Sequence, residues 1–233
     1  AFRIPNFFRR LFAEGAFSQA FLPILADAKA NQSDEEVQLV INHIATKLLS
    51  ALMIITLIAI VIAPVIILLF AWGFYFKADA VQFNLASDML RITFPYLLLI
   101  SLTALSGSIL NTYDNFIIPA FTPVLLNISL ILSAVFLSKF LSTPIMALAW
   151  GVLIGGIAQL GFQIPFLRKI KRLPKLQFGP HKSLSILRKR MLPALFGVSV
   201  SQINLLVDTM IASTLVAGSV SWLYYSDRLL ELP

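Results

Sequence analysis

Two adjacent arginines, Arg9 and Arg10, stand among Phe7, Phe8, Leu11 and Phe12. A guanidinium stays charged at every physiological pH and offers a planar fork of donors. Paired arginines in an apolar setting therefore suit a phosphate group. On a helix Arg3 and Arg10 are seven residues apart and share a face, and Glu14, four beyond Arg10, can pair with it. Two readings are open. In one, an interfacial helix lets its arginines snorkel to lipid headgroups. In the other, a broken membrane helix lines a watery cavity where the arginines meet an anionic substrate. Asp227–Arg228 presents the same choice after Trp222, Tyr224 and Tyr225. It is either an aromatic belt with a local pair between Arg228 and Glu231, or a second cavity-facing arginine. Asp208 lies well inside an apolar run, with Asn204 one turn earlier on the same helical face. A carboxylate with amide and hydroxyl neighbours suits sodium or proton coupling, or the structural pairing of an arginine on another helix.

Other chemistries lack their residues. There is no cysteine, so no thiol nucleophile, and the two histidines, His43 and His181, fall in separate polar stretches, so no metal site is expected. No GxxxxGK[ST] loop points to ATP, and neither a Ser/His/Asp grouping nor a paired acidic motif stands out. The chain is read as a non-enzyme without cofactor, Na+ or H+ being the candidate coupling ions.

The elements that must position these groups are set by composition. Hydrophobic residues make up 58% of the 233 and charged residues 12%, where a soluble domain carries about 25% charged. So little polar surface suits lipid, in which helices satisfy their own backbone. Uncharged or nearly uncharged spans are expected at 48–72, 92–110, 116–137, 145–167 and 191–216, and a further one begins near Ser219. Gly151, Gly155 and Gly156 in the fourth are small residues of the kind that bring membrane helices close. The segment 1–26 is apolar but holds Arg3, Arg9, Arg10 and Glu14.

The net charge of +7 is concentrated in 168–190, which has nine Lys/Arg and no acid. In a membrane protein such a block marks the cytoplasmic side rather than nucleic acid binding. Counting back, 111–115 and 27–47 are cytoplasmic, whereas 77–88 and 139–144 face outward. Residues 183–191 are expected to form a short interfacial helix beside anionic headgroups. The chain opens inside a patterned segment and stops as another apolar run begins, which reads as a piece of a longer protein.

The segments AFRIPNFFRRLFAEGAFSQAFLPILA, ITFPYLLLISLTALSGSILNTYDNFIIPAFTPVLLNIS, PALFGVSVSQINLLVDTMIAS and GSVSWLYYSDRLLELP occur in that order. They resemble the MurJ (MviN) family of bacterial lipid II flippases. The resemblance implies an all-α, polytopic transmembrane bundle with the MATE-like fold of the multidrug/oligosaccharidyl-lipid/polysaccharide exporters. It implies about helices two to eight of about fourteen. Residues 1–167 would form most of the N-terminal lobe, 168–190 a basic cytoplasmic linker, and 191–233 the start of the C-terminal lobe. The implied activity moves lipid II, an undecaprenyl-diphosphate-linked disaccharide-pentapeptide, across the bacterial inner membrane. Arg9, Arg10 and Arg228 would line the central cavity and hold the diphosphate, with Arg3 and Glu14 in less defined roles. Asp208 and Asn204 remain candidates for ion coupling. Membrane lipids and cell-wall synthesis proteins are the other expected partners. The competing readings are an exporter of a different polyprenyl-linked saccharide, a membrane enzyme of cell-wall synthesis, and a non-transporting scaffold of that machinery.

Overall fold

The structure is a computed structural model that describes residues 3–9, 16–70, 80–215 and 218–230. Its α-helices are α1 (Arg3–Phe8), α2 (Ser18–Asn31), α3 (Asp34–Val61), α4 (Ala63–Phe70), α5 (Ala80–Thr93) and α6 (Pro95–Thr112). They continue with α7 (Ile117–Val135), α8 (Met146–Lys169), α9 (Lys182–Thr214) and α10 (Ser219–Leu230), and a 3₁₀ turn spans Leu137–Phe140. Four spans among the described residues are long and apolar enough to cross a membrane: Asp34–Val61, Val81–Thr112, Ile117–Val135 and Met146–Lys169.

Proline sets the two main breaks. Pro64 has no N–H for the carbonyl of Ile60, and the chain departs from the helix at Ile62 between α3 and α4. Pro95 likewise leaves the Arg91 carbonyl without its donor, so α5 and α6 form one span bent at Phe94. That span begins at Ala80, well before the expected start near Ile92, and the described part of the expected outer loop at 77–88 is helical. Asp88 and Arg91 explain the extension: they pair at 2.8 Å one turn apart, so their charges do not end the helix. The polar stretch 27–47 is also helical. Ser33 and Glu36 form a capping box, each side chain meeting the other's backbone N–H at 3.3 Å, and this starts α3 fourteen residues before the uncharged span that opens at Leu48.

The expected interfacial helix at 183–191 is instead the opening of the 33-residue α9, which runs on through Pro193. Pro193 deprives only the Lys189 carbonyl, and Lys189 is exposed, where water or headgroups can replace the missing donor.

Burial ranks the spans. In Val81–Thr112, 67% of the apolar window is buried, against 17% in Ile117–Val135, so α5–α6 is the central span and α7 a peripheral one. The outward faces carry Ile54, Leu57, Ile58, Ile131 and Leu132, as a lipid-facing surface should. Gly151 and Gly155 bring α8 against α7, and Gly156 brings it against α6. A methyl at 151 would lie 2.8 Å from Ser133 Oγ, and one at 155 would lie 2.7 Å from Leu126 Cδ1. The close approach lets Ser129 Oγ donate to the Gly151 carbonyl at 2.7 Å. This is the helix-packing role expected of these glycines.

Candidate functional site

Arg9 directly follows α1, a short helix seated on the central span. Ile4 joins the apolar cluster of Leu52, Ala63, Leu90 and Phe94, and the Phe7 ring meets Phe70 edge-on with centroids 6.0 Å apart. These contacts fix α1 and leave the Arg9 side chain half-buried. Its Nε donates to Asn6 Oδ1 at 2.8 Å, and α1 packs on α6, the helix that carries Tyr96. A charge held at the wall of an apolar bundle needs polar company, and Asn6 supplies some of it.

Tyr96 opens a buried polar chain that the sequence reading did not single out. Its hydroxyl approaches Gln159 Oε1 at 3.5 Å; Gln159 Nε2 donates to the Thr122 carbonyl at 3.2 Å; Gln163 Nε2 donates to Thr122 Oγ1 at 3.0 Å. Gln159 and Gln163 are 2% and 1% exposed. Their signal was available in the sequence: two glutamines one turn apart inside an otherwise apolar span, which must face protein rather than lipid.

The other expected site residues are placed only in part. Arg3 lies in α1 and Arg228 in α10, both by backbone alone, whereas Arg10 and Glu14 fall outside the described residues. Asp208 and Asn204 sit one turn apart on α9, and both are exposed.

A second constellation gathers at one end of the bundle, the end that the positive-inside rule assigns to the cytoplasm. Lys29 from α2 donates to the Thr112 carbonyl at 2.6 Å and lies 4.7 Å above the Tyr113 ring. Arg172 lies 5.3 Å from the same ring and bonds both the carbonyl and the carboxylate of Asp34. The segment after Arg172 is then strapped to α3 by three polar residues spaced four apart. Gln38 Nε2 donates to the Leu173 carbonyl at 3.1 Å, Asn42 Oδ1 accepts from Lys175 N at 2.9 Å, and Thr46 Oγ1 accepts from Gln177 N at 2.8 Å. Side chains of one helical face thus replace the β-partner that an extended segment would otherwise need. Beyond it the two histidines stack, His43 on His181, with centroids 4.6 Å apart. Partial burial, and secondarily His43, hold the His181 imidazole below its ordinary value.

These features define a multi-pass α-helical membrane protein with ionisable groups set against its apolar core. The family model described as "Lipid II flippase MurJ" matches residues 1–233. The chain is 48% identical to the probable lipid II flippase MurJ of Haemophilus influenzae over 237 residues, covering 99% of this chain and 46% of that protein. It is 44% identical to the lipid II flippase MurJ of Burkholderia cenocepacia, covering 100% of this chain and 46% of that protein. A solved structure titled "Lipid II flippase MurJ, inward closed conformation" superposes with a TM-score of 0.80 at 31% identity, over 98% of this chain and 46% of that one. The chain therefore belongs to the MurJ family, and it spans a little under half the length of the relatives it matches.

Proposed function

We propose that this chain is part of a lipid II flippase of the bacterial inner membrane, which carries the undecaprenyl-diphosphate-linked peptidoglycan precursor from the cytoplasmic to the outer leaflet. The observation that carries the reading is the family match along the whole chain, with 48% identity to a relative named for that activity. The physical requirement fits the residues. A diphosphate cannot enter hydrocarbon bare, whereas a prenyl tail can stay in lipid, so a cationic cavity must stand in for water around the headgroup.

Arg9, Arg10 and Arg228 are assigned to the diphosphate, with Arg3 and Glu14 beside them. Arg9 supports this by its position: half-buried against the central span and bonded to Asn6. Residues 1–167 then belong to one lobe, 168–190 to the linker, and 191–233 to the start of a second lobe, the two rocking about the site in alternating access. Asp208 and Asn204, exposed on α9, are assigned to a sodium or proton site completed by groups elsewhere in the protein. Membrane potential adds about 2.3 kcal/mol per charge per 100 mV to the cycle.

The test is complementation. Full-length Arg9→Ala, Arg10→Ala and Arg228→Ala, each at normal membrane levels, should fail to rescue cells depleted of their own flippase. Full rescue by all three variants refutes the diphosphate assignment.

A further inference from the structure

Lys47 on α3 and Arg188 on α9 line one groove of about 450 Å³ at the cytoplasmic end, with His181 and Ser185 at its polar rim. Its remaining wall is mostly aliphatic, running from Leu184 and Leu187 to Met191, Leu192 and Leu195. Among the described residues no acid lines it, and neither Lys47 nor Arg188 joins an ion pair.

The position of the groove along both helices decides what can fill it. Lys47 is the last charge before the uncharged run 48–72, and Arg190 is the last before the uncharged run 191–207. The two helices therefore pass from charged to apolar at the same level, which is the headgroup boundary of a bilayer. A ligand there must be anionic at one end and apolar at the other. A soluble anion would leave Met191, Leu192 and Leu195 uncovered, and an ammonium-bearing headgroup would meet two cations.

We propose that this groove binds one anionic glycerophospholipid of the cytoplasmic leaflet, its phosphate held by Lys47 and Arg188 and one acyl chain lying along Met191, Leu192 and Leu195. Arg9, half-buried beside the central span, does not line it. It lies beside the His43–His181 stack that ends the strap, so a lipid there bridges α3 to α9 and favours the arrangement in which the two are joined.

The test uses the full-length protein in detergent and native mass spectrometry with phosphatidylglycerol or phosphatidylethanolamine as the probe. Wild type should retain phosphatidylglycerol at concentrations where phosphatidylethanolamine is lost. Lys47→Gln/Arg188→Gln should weaken that binding about thirtyfold, the effect of two basic groups at an anionic lipid. Lys47→Arg/Arg188→Lys should retain it, which separates lost charge from lost folding, and Lys139→Gln at the opposite end should leave it unchanged. A photoreactive residue at Leu192 should capture phosphatidylglycerol from a mixed-lipid nanodisc. Unchanged affinity in the Gln double variant, equal retention of phosphatidylethanolamine, or capture at 192 of a polyprenyl diphosphate or another part of the protein overturns the proposal.

Discussion

Gly156 and Gly161 lie on the same helix, yet alanine should have opposite effects at the two positions. A Cβ at 156 would sit 2.7 Å from Tyr96 Cδ2 and 3.1 and 3.2 Å from Leu99 side-chain carbons, whereas a Cβ at 161 meets nothing within 4 Å. Carbon contacts prefer about 3.5–4.0 Å, so the methyl at 156 intrudes by roughly 0.8 Å. Tyr96 cannot swing away: it is 1% exposed, and its hydroxyl is engaged with Gln159. Overpacking of this kind costs about 1–3 kcal/mol, while Gly→Ala within a helix contributes up to about 1 kcal/mol of stability. Gly161→Ala should therefore be neutral or stabilising by up to about 1 kcal/mol, and Gly156→Ala destabilising by about 1–2 kcal/mol. The assay is unfolding of the full-length protein by SDS titration, followed by tryptophan fluorescence. Adding Tyr96→Ala should remove most of the penalty at 156, because the cycle isolates the clash. If Gly156→Ala proves as stable as Gly161→Ala, or loses as much in the Tyr96→Ala background, the packing argument for α8 against α6 is wrong.

Asn42→Ala should loosen the strap, since it removes the acceptor of the Lys175 N–H and the partner of Gln177, at about 1–3 kcal/mol. Hydrogen exchange should show loss of protection at Lys175 while the middle of α6 is unchanged. Ser129→Ala removes the bond to the Gly151 carbonyl and should cost about 1 kcal/mol in the same SDS titration, with Ser129→Thr failing to restore it in so tight a contact. The His181 imidazole is held below its ordinary value, so the unfolded chain takes up its proton first as pH falls. Its contribution is level above the ordinary histidine range and turns against folding as pH falls from there toward the lowered value. Wild type should thus lose melting temperature more steeply than His181→Gln as pH falls below the ordinary histidine range, and parallel curves would contradict this. For Asp208, sodium-dependent flipping or binding by wild type should become sodium-independent in Asp208→Asn if the carboxylate couples transport to that ion.

Residue types and their periodicity determined the solvent of this protein and its approximate spans. Hydrocarbon admits only self-satisfied helices, and a basic block such as 168–190 is the expected mark of a cytoplasmic end. The packing role of Gly151, Gly155 and Gly156 was legible for the same reason, as small residues in an apolar span have few other uses. The motif around Arg9 and Arg10 was sufficient to point to the family. Helix bounds were less legible. Ser33, Glu36, Asp88 and Arg91 read as loop residues by polarity, yet capping and pairing satisfy them inside or beside helices. What only tertiary structure decided is which polar residues meet. The strap joins Gln38, Asn42 and Thr46 to a segment some 130 residues away, as their bonds to 173–177 show. The two histidines, assigned to unrelated polar stretches, stack on each other. Lys47 and Arg188 share a groove because α9 returns beside α3. Local spacing specifies a face of a helix, but the partner of that face is chosen by the packing of the whole bundle, which short-range pattern does not encode.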